Sequence, residues 1–194
     1  MKLNILLGII LLLSVLLIIG CTQLSSTPSV ELQQKLASVD LPAQYTVNCH
    51  FKYSSSGGDR EWNFVYEIAD ENFVSCSGKY HFSGSDGEKE EECTIDMLQN
   101  NGAHTFFTMN DLVGKVGTDF VTEVFALNLA DRSCYYIKNS NYIKNSNGKA
   151  SNVVCFNANN EIVTYLAKGG YGGAETIWLL DGYELTDEIK GIIS

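Results

Sequence analysis

Tyr45-Thr46-Val47-Asn48-Cys49-His50-Phe51-Lys52-Tyr53 alternates large apolar side chains with polar ones. Successive side chains of a strand point to opposite sides, so this period of two marks a strand with one buried face. Ser54 to Asp59 then reads as a turn. Beyond it Trp62, Phe64, Tyr66 and Ile68 alternate against Glu61, Asn63 and Glu67, giving a second strand of the same kind. The pattern predicts a third strand from about Phe73 to Phe82 and a fourth from about Glu90 to Leu98. After an Asn101-Gly102 turn, a fifth falls around His104 to Met109.

Between Thr118 and Leu129 the spacing of Phe120, Val124 and Leu127 suits a short helix, with a strand as the alternative. Strands return at Ser133 to Lys138, Asn152 to Asn157, Ile162 to Lys168 and Thr176 to Leu180. Asn159-Asn160 and the cluster Gly169-Gly170-Tyr171-Gly172-Gly173 separate the last three. Strands joined by short turns pair antiparallel, so the expectation is a meander. Toward the N-terminus, Pro28 and Ser29 open a short helical pattern in which Leu32 and Leu36 share a face, and Asp40-Leu41-Pro42 ends it. The fold class expected is β-rich α+β, a curved antiparallel sheet with one or two short helices packed against it.

The N-terminus carries Lys2, an apolar run from Ile5 to Ile19, then Gly20 and Cys21. A basic start, an apolar core of modest length and small residues at the cut are the parts of a signal peptide. An uncleaved membrane anchor is the alternative; it wants about 20 apolar residues, and Gly8 and Ser14 interrupt this run. Ile18-Ile19-Gly20-Cys21 resembles the lipobox of prokaryotic lipoproteins, which implies cleavage before Cys21, acylation of that cysteine and attachment to the outer face of a membrane. Two or three acyl chains hold a protein at a bilayer stably, whereas one does not. The expected organisation is a signal peptide over 1–20, a lipidated tether over 21–29 and a single extracytoplasmic domain over 30–194. The tether, rich in Ser and Thr, has a reach of about 15 Å.

Without Lys2 the chain holds 12 Lys and Arg against 23 Asp and Glu, a net charge of −11. Phosphate backbones and anionic head groups repel such a domain, so nucleic acid is not an expected partner.

In an oxidising compartment Cys49, Cys76, Cys93, Cys134 and Cys155 read as disulfide candidates. If Gly84-Ser85 is a two-residue hairpin loop, opposed positions sum to 169, as Cys76 and Cys93 do. Counting back from the loop puts them at a non-hydrogen-bonded position, where opposed side chains come closest. Cys134 and Cys155 flank a tandem copy, Tyr136-Ile137-Lys138-Asn139-Ser140-Asn141 followed by Tyr142-Ile143-Lys144-Asn145-Ser146-Asn147, as the two strands of a hairpin with a long loop. Closing a loop of that size stabilises by roughly 3 kcal/mol in the chain-entropy model. Cys49 is left over on the apolar face, as a buried thiol or, alternatively, a reactive one.

Chemistry-bearing motifs are scarce. His50, His81 and His104 have no ligand spacing with the cysteines, so no metal or other cofactor is expected. No Gly-x-Ser-x-Gly elbow occurs, and nothing local assembles a nucleophile with its base, so no catalytic residue is assigned and an enzyme is not expected. Gly84-Ser85-Asp86-Gly87-Glu88 lacks the acidic spacing of a calcium loop, and Gly169 to Gly173 joins strands where a dinucleotide fingerprint opens a helix. Glu88 to Glu92 reads as a solvated strand end that also discourages edge-to-edge pairing.

The positive signal for binding is aromatic. Tyr45, Phe51, Tyr53, Trp62, Phe64, Tyr66, Tyr80 and Phe82 line one face of the sheet, with core packing as the first explanation. One or two helices cover such a face incompletely, so Tyr45, Phe51, Trp62, Phe64, Tyr66, Tyr80 and Phe82 are candidates to meet a lipid or another hydrophobic ligand.

An anchored chain with one short helix and a long antiparallel run over an apolar face is similar to the lipoprotein-carrier and lipoprotein-localisation (LolA/LppX-like) family. Its members form an open half-barrel around a hydrophobic cavity. The resemblance is one of element order and carries over no ligand residue. Arg132-Ser133-Cys134-Tyr135-Tyr136-Ile137 and Val153-Val154-Cys155-Phe156-Asn157 are similar to the paired-cysteine hairpin of prokaryotic lipoproteins, several of them archaeal. Together these imply an anchored, non-enzymatic surface lipoprotein with a lipid-sized apolar ligand. The alternative is a surface module that contacts another protein.

Overall fold

The computed structural model describes residues 27–100, 106–118, 123–139, 150–169 and 173–192. The leader, Cys21 and its lipidation, most of the tether, the Asn101-Gly102 turn and the loop of the tandem copy lie outside the described residues. Nine strands and four helices are present among the described residues, in the order α1 (Pro28–Ala37), β1 (Gln44–Ser55), β2 (Gly58–Ala69), β3 (Asn72–Gly84), β4 (Gly87–Glu92), α2 (Ile95–Asn100), α3 (Met109–Thr118), β5 (Val124–Asn128), β6 (Ser133–Asn139), β7 (Ala150–Phe156), β8 (Ile162–Gly169), β9 (Ala174–Leu180) and α4 (Asp187–Ile192).

All strand pairs are antiparallel, and the sheet runs β4-β3-β2-β1-β9-β8-β7-β6-β5, curved and unclosed. It is two meanders rather than one. The chain walks outward from β1 to the edge at β4, carries α2 and α3 across, and walks back from the edge at β5 to β9. There β9 pairs with β1, Cys49 opposite Trp178. No local pattern announces that non-local pairing.

The two halves of the sheet are buried differently. On the face covered by α1 to α3, here the inner face, Val47, Phe64, Tyr66, Tyr165, Trp178, Phe107, Leu112 and Val116 form one core. On the outer face of β5 to β9, a second core of Cys134, Val153, Cys155, Val163, Leu166 and Ile189 lies under the C-terminal segment and α4. Strand β8 is therefore buried on both faces and reads as a continuous apolar run, whereas β1 and β2 alternate because one of their faces meets water.

Arg132 fastens the outer cover. Its guanidinium donates to Thr164 Oγ1 at 3.1 Å and to the Glu184 carbonyl at 3.1 Å, with Asp131 pairing at 2.7 Å and the Tyr183 ring 5.0 Å away. Asn160, at φ 64, donates to the Lys35 and Ser38 carbonyls at 2.8 Å each and so caps the end of α1 from the β7–β8 turn.

Several sequence expectations need correction. The fourth strand does not run to Leu98: β4 ends at Glu92 and α2 follows, because Thr94 Oγ1 accepts the Met97 N–H at 3.2 Å as an N-cap. The described part of the fifth-strand prediction also fails at its end, where Thr108 and Asp111 bond reciprocally, each backbone N–H to the other's side chain, at 2.9 and 3.1 Å. That capping box starts α3. Of the stretch between Thr118 and Leu129, Phe120 lies outside the described residues, and over Val124–Asn128 the strand alternative holds, as β5.

Both disulfides form, Cys76–Cys93 and Cys134–Cys155. The second joins directly opposed residues with Cα atoms 4.0 Å apart. For the first the register differs from the expected one: Gly84 opposes Gly87, so the loop is Ser85-Asp86 and Cys93 falls beside Gly78, whose carbonyl accepts its N–H at 2.9 Å. The bond is diagonal across 5.9 Å. Gly78 is needed there, since at φ 108 a Cβ would sit 2.0 Å from the Asn63 carbonyl oxygen. A bulge between Glu67 and Ile68 shifts the β2–β3 register beside Val74, which is half exposed.

The segment Phe106 to Thr108 enters the inner core without regular structure, so its backbone polar groups need partners there. Tyr66 Oη and Trp178 Nε1 both donate to the Phe107 carbonyl, at 3.1 and 3.0 Å. Substituting Tyr66→Phe or Trp178→Phe alone leaves that oxygen one donor; the double variant leaves neither. Urea unfolding of the two single variants and the double variant is expected to give a coupling energy of about 1 kcal/mol or more, with the double costing more than the sum. Additive losses would show that the carbonyl does not depend on this pair.

Candidate functional site

Each of the seven aromatic candidates lies on the inner face or along its continuation, but the structure divides them. Tyr45, Phe64 and Tyr66 receive the chain's own 106–109 segment. Phe64 stacks on Phe106 at 5.2 Å, and Tyr66 holds the Phe107 carbonyl. The Tyr45 hydroxyl accepts the Met109 N–H at 2.6 Å and donates to Glu71 Oε1 at 3.2 Å, while Glu71 Oε2 accepts the Asn110 N–H at 3.2 Å. Burial, the largest cause, raises the Tyr45 and Tyr66 phenols above their ordinary range. These three rings are core.

The remaining four form a ladder toward the other end of the long strands. Register places Phe51 opposite Trp62 and Trp62 opposite Tyr80. Their rings meet in sequence, Phe51 to Trp62 at 5.0 Å and Trp62 to Tyr80 at 4.8 Å. The next rung is Tyr53, Arg60 and Phe82, with the Arg60 guanidinium 5.7 Å from the Phe82 ring. Trp62 is 9% exposed, and Phe51, Tyr53, Tyr80 and Phe82 are half-buried. Rings that meet tilted and stacked across three strands form an ordered apolar strip with a polar end at Arg60.

A cleft of about 300 Å³ lies near the β2–β3 turn, between that turn, α2 and the start of α3. Sequence reasoning missed it, because its rim joins residues from three separate elements. The capping signal Thr108-Met109-Asn110-Asp111 was the one local hint. No group of three or more His, Cys, Asp or Glu able to hold a metal ion occurs among the described residues. No helix among them is long and apolar enough to cross a membrane.

Cys49 is a free, buried thiol. Desolvation, partly offset by a hydrogen bond with Tyr66, pushes it up from 9.0 to about 12. The folded state keeps a proton that the unfolded chain releases above pH 9. This contribution to stability is therefore complete below pH 9 and fades as pH rises toward 12. Iodoacetamide at pH 8 is expected to leave Cys49 unlabelled in the native protein and to label it in urea, as read by peptide mass mapping. Native labelling at a rate near that of a free thiol would mean that the site opens.

No family model matches this sequence, and no curated protein matches it. Among solved structures, the crystal structure of LprF from Mycobacterium bovis aligns over 83% of this chain and 97% of that one, at 9% identity and a TM-score of 0.36.

Proposed function

We propose that this chain is a membrane-anchored, extracytoplasmic, non-enzymatic protein that takes a lipid or similar apolar ligand along the Phe51–Trp62–Tyr80 ladder. The ladder is the observation that carries the reading. Phe51 and Tyr80, half-buried on either side of the buried Trp62, retain apolar area that a ligand can cover, at about 25 cal/mol per Å². Export is supported by the two disulfides, which persist in oxidising compartments. The leader ending at Cys21 supplies the anchor in this reading.

The other reading, contact with a protein, draws on the second sheet edge. Strand β4 is protected by Glu88, Lys89, Glu90, Glu91 and Glu92, whereas β5 carries no charge and leaves Phe125 51% exposed against Tyr136.

The intact chain, purified from its own membranes in mild detergent and examined by native mass spectrometry, is expected to carry a discrete small apolar adduct. Phe51→Ser combined with Tyr80→Ser is expected to remove it while leaving the circular dichroism unchanged. A bare mass in the unsubstituted protein would overturn the ligand reading, and a co-purifying polypeptide lost on Phe125→Lys would favour the edge.

A further inference from the structure

The cleft near the β2–β3 turn is separate from the ladder and has a different chemistry. Phe73, Phe106 and Leu98 give it apolar walls, Gln99 adds an amide, and Glu71 and Asp111 bring two carboxylates. None of its described lining residues is a Lys, Arg or His. Its volume of about 300 Å³ sits at the small end of the range of small-molecule sites.

Helix capping uses only part of this acidity. Glu71 accepts from Tyr45 and from the Asn110 N–H, and Asp111 Oδ2 accepts the Thr108 N–H at 2.9 Å. A helix N-terminus carries roughly half a positive charge, so two carboxylates leave a surplus of roughly one and a half negative charges at the cleft. Anions are repelled from it, and a neutral apolar molecule leaves the surplus negative charge unmatched. A small inorganic cation would forgo the aromatic walls. The occupant that matches both features has a cationic nitrogen on an apolar body, which hydrogen-bonds to carboxylates and lies favourably over aromatic faces.

We propose that this cleft binds a small organic ammonium ion, its nitrogen between Glu71 and Asp111 and its apolar part against Phe73, Phe106 and Leu98. The site is independent of the ladder and of whatever the ladder takes.

The test uses the intact chain in zwitterionic detergent, with phenethylammonium as probe and 2-phenylethanol as its uncharged isostere, followed by amide chemical shifts in NMR. Phenethylammonium is expected to bind with saturable shifts confined to Glu71–Phe73, Leu98–Gln99 and Phe106–Asp111, about tenfold more tightly than the alcohol. Asp111→Asn is expected to weaken the ammonium about tenfold and leave the alcohol unchanged, while Glu92→Gln, which removes a charge elsewhere, changes neither. Equal affinity for the two probes, shifts centred elsewhere, no saturation, or an equal effect of the two neutralisations would overturn the proposal. The ratio of the two probes on the unsubstituted chain decides it even if Asp111→Asn unfolds.

Discussion

A stretch of chain without regular structure crosses the inner face of the sheet at Phe106 to Thr108, and the rest of the arrangement follows from how its backbone is satisfied. A buried carbonyl without a donor costs about 1–3 kcal/mol, so such a segment settles only where donors are waiting. The Phe107 carbonyl finds two, Tyr66 from β2 and Trp178 from β9, and the Met109 N–H finds the Tyr45 hydroxyl on β1. Those three strands are neighbours only because β1 pairs with β9. The seating of the segment thus depends on the closing of the two meanders. Once seated, the segment delivers Met109 and Asp111 to the start of α3 and drops Leu112 and Val116 onto the sheet.

The sheet's outer face divides along the same line. Strands β5 to β9 carry apolar residues on both sides and are covered outside by α4 and its approach, fastened through the buried Arg132. Strands β1 to β4 turn His50, Glu61, Asn63 and Lys79 outward to solvent. A single charged group is expensive to bury, but Arg132 has Asp131, Thr164, Glu184 and the Tyr183 ring around it. The holding lever is therefore polar in a region whose bulk is apolar. The Cys134–Cys155 bond sits in that outer core and Cys76–Cys93 packs on the inner one, so each half of the sheet has its own covalent tie.

Much of this was legible from single residues. Residue patterning located seven of the nine strands outright, because each of those segments turns at least one face away from solvent, whereas β4 is exposed along its whole length. Helix α1 was legible from Pro28, Leu32 and Leu36. What failed did so for physical reasons. Thr94 and Thr108 are capping residues sitting where a strand pattern seemed to continue, and a cap is a local signal that competes with a period read over few residues. The Cys76–Cys93 pair was found through a register that is off by two, since the chain leaves the ladder after Glu92 and lets Cys93 reach back diagonally. The destination of the aromatic face was not legible at all. Whether Tyr45 and Tyr66 meet a ligand or the chain's own backbone depends on a contact across 64 and 41 residues of sequence.

That contact also bears on where a ligand can go. A cavity enclosed between α3 and the sheet would require the 106–116 stretch to lift away. Phe106, Phe107, Met109, Leu112 and Val116 would then lose their burial, at about 1.5–3 kcal/mol each, on the order of 10 kcal/mol together before the lost hydrogen bonds are counted. Whole domains of this size are stable by only about 5–15 kcal/mol. A ligand entering there would have to supply nearly the full folding stability of the domain to open its own site. The Phe51–Trp62–Tyr80 ladder demands no such opening, because its rings already pack on one another and Phe51 and Tyr80 are already partly exposed. In the proposed reading, a ligand is thereby directed away from the filled part of the inner face and onto its free end.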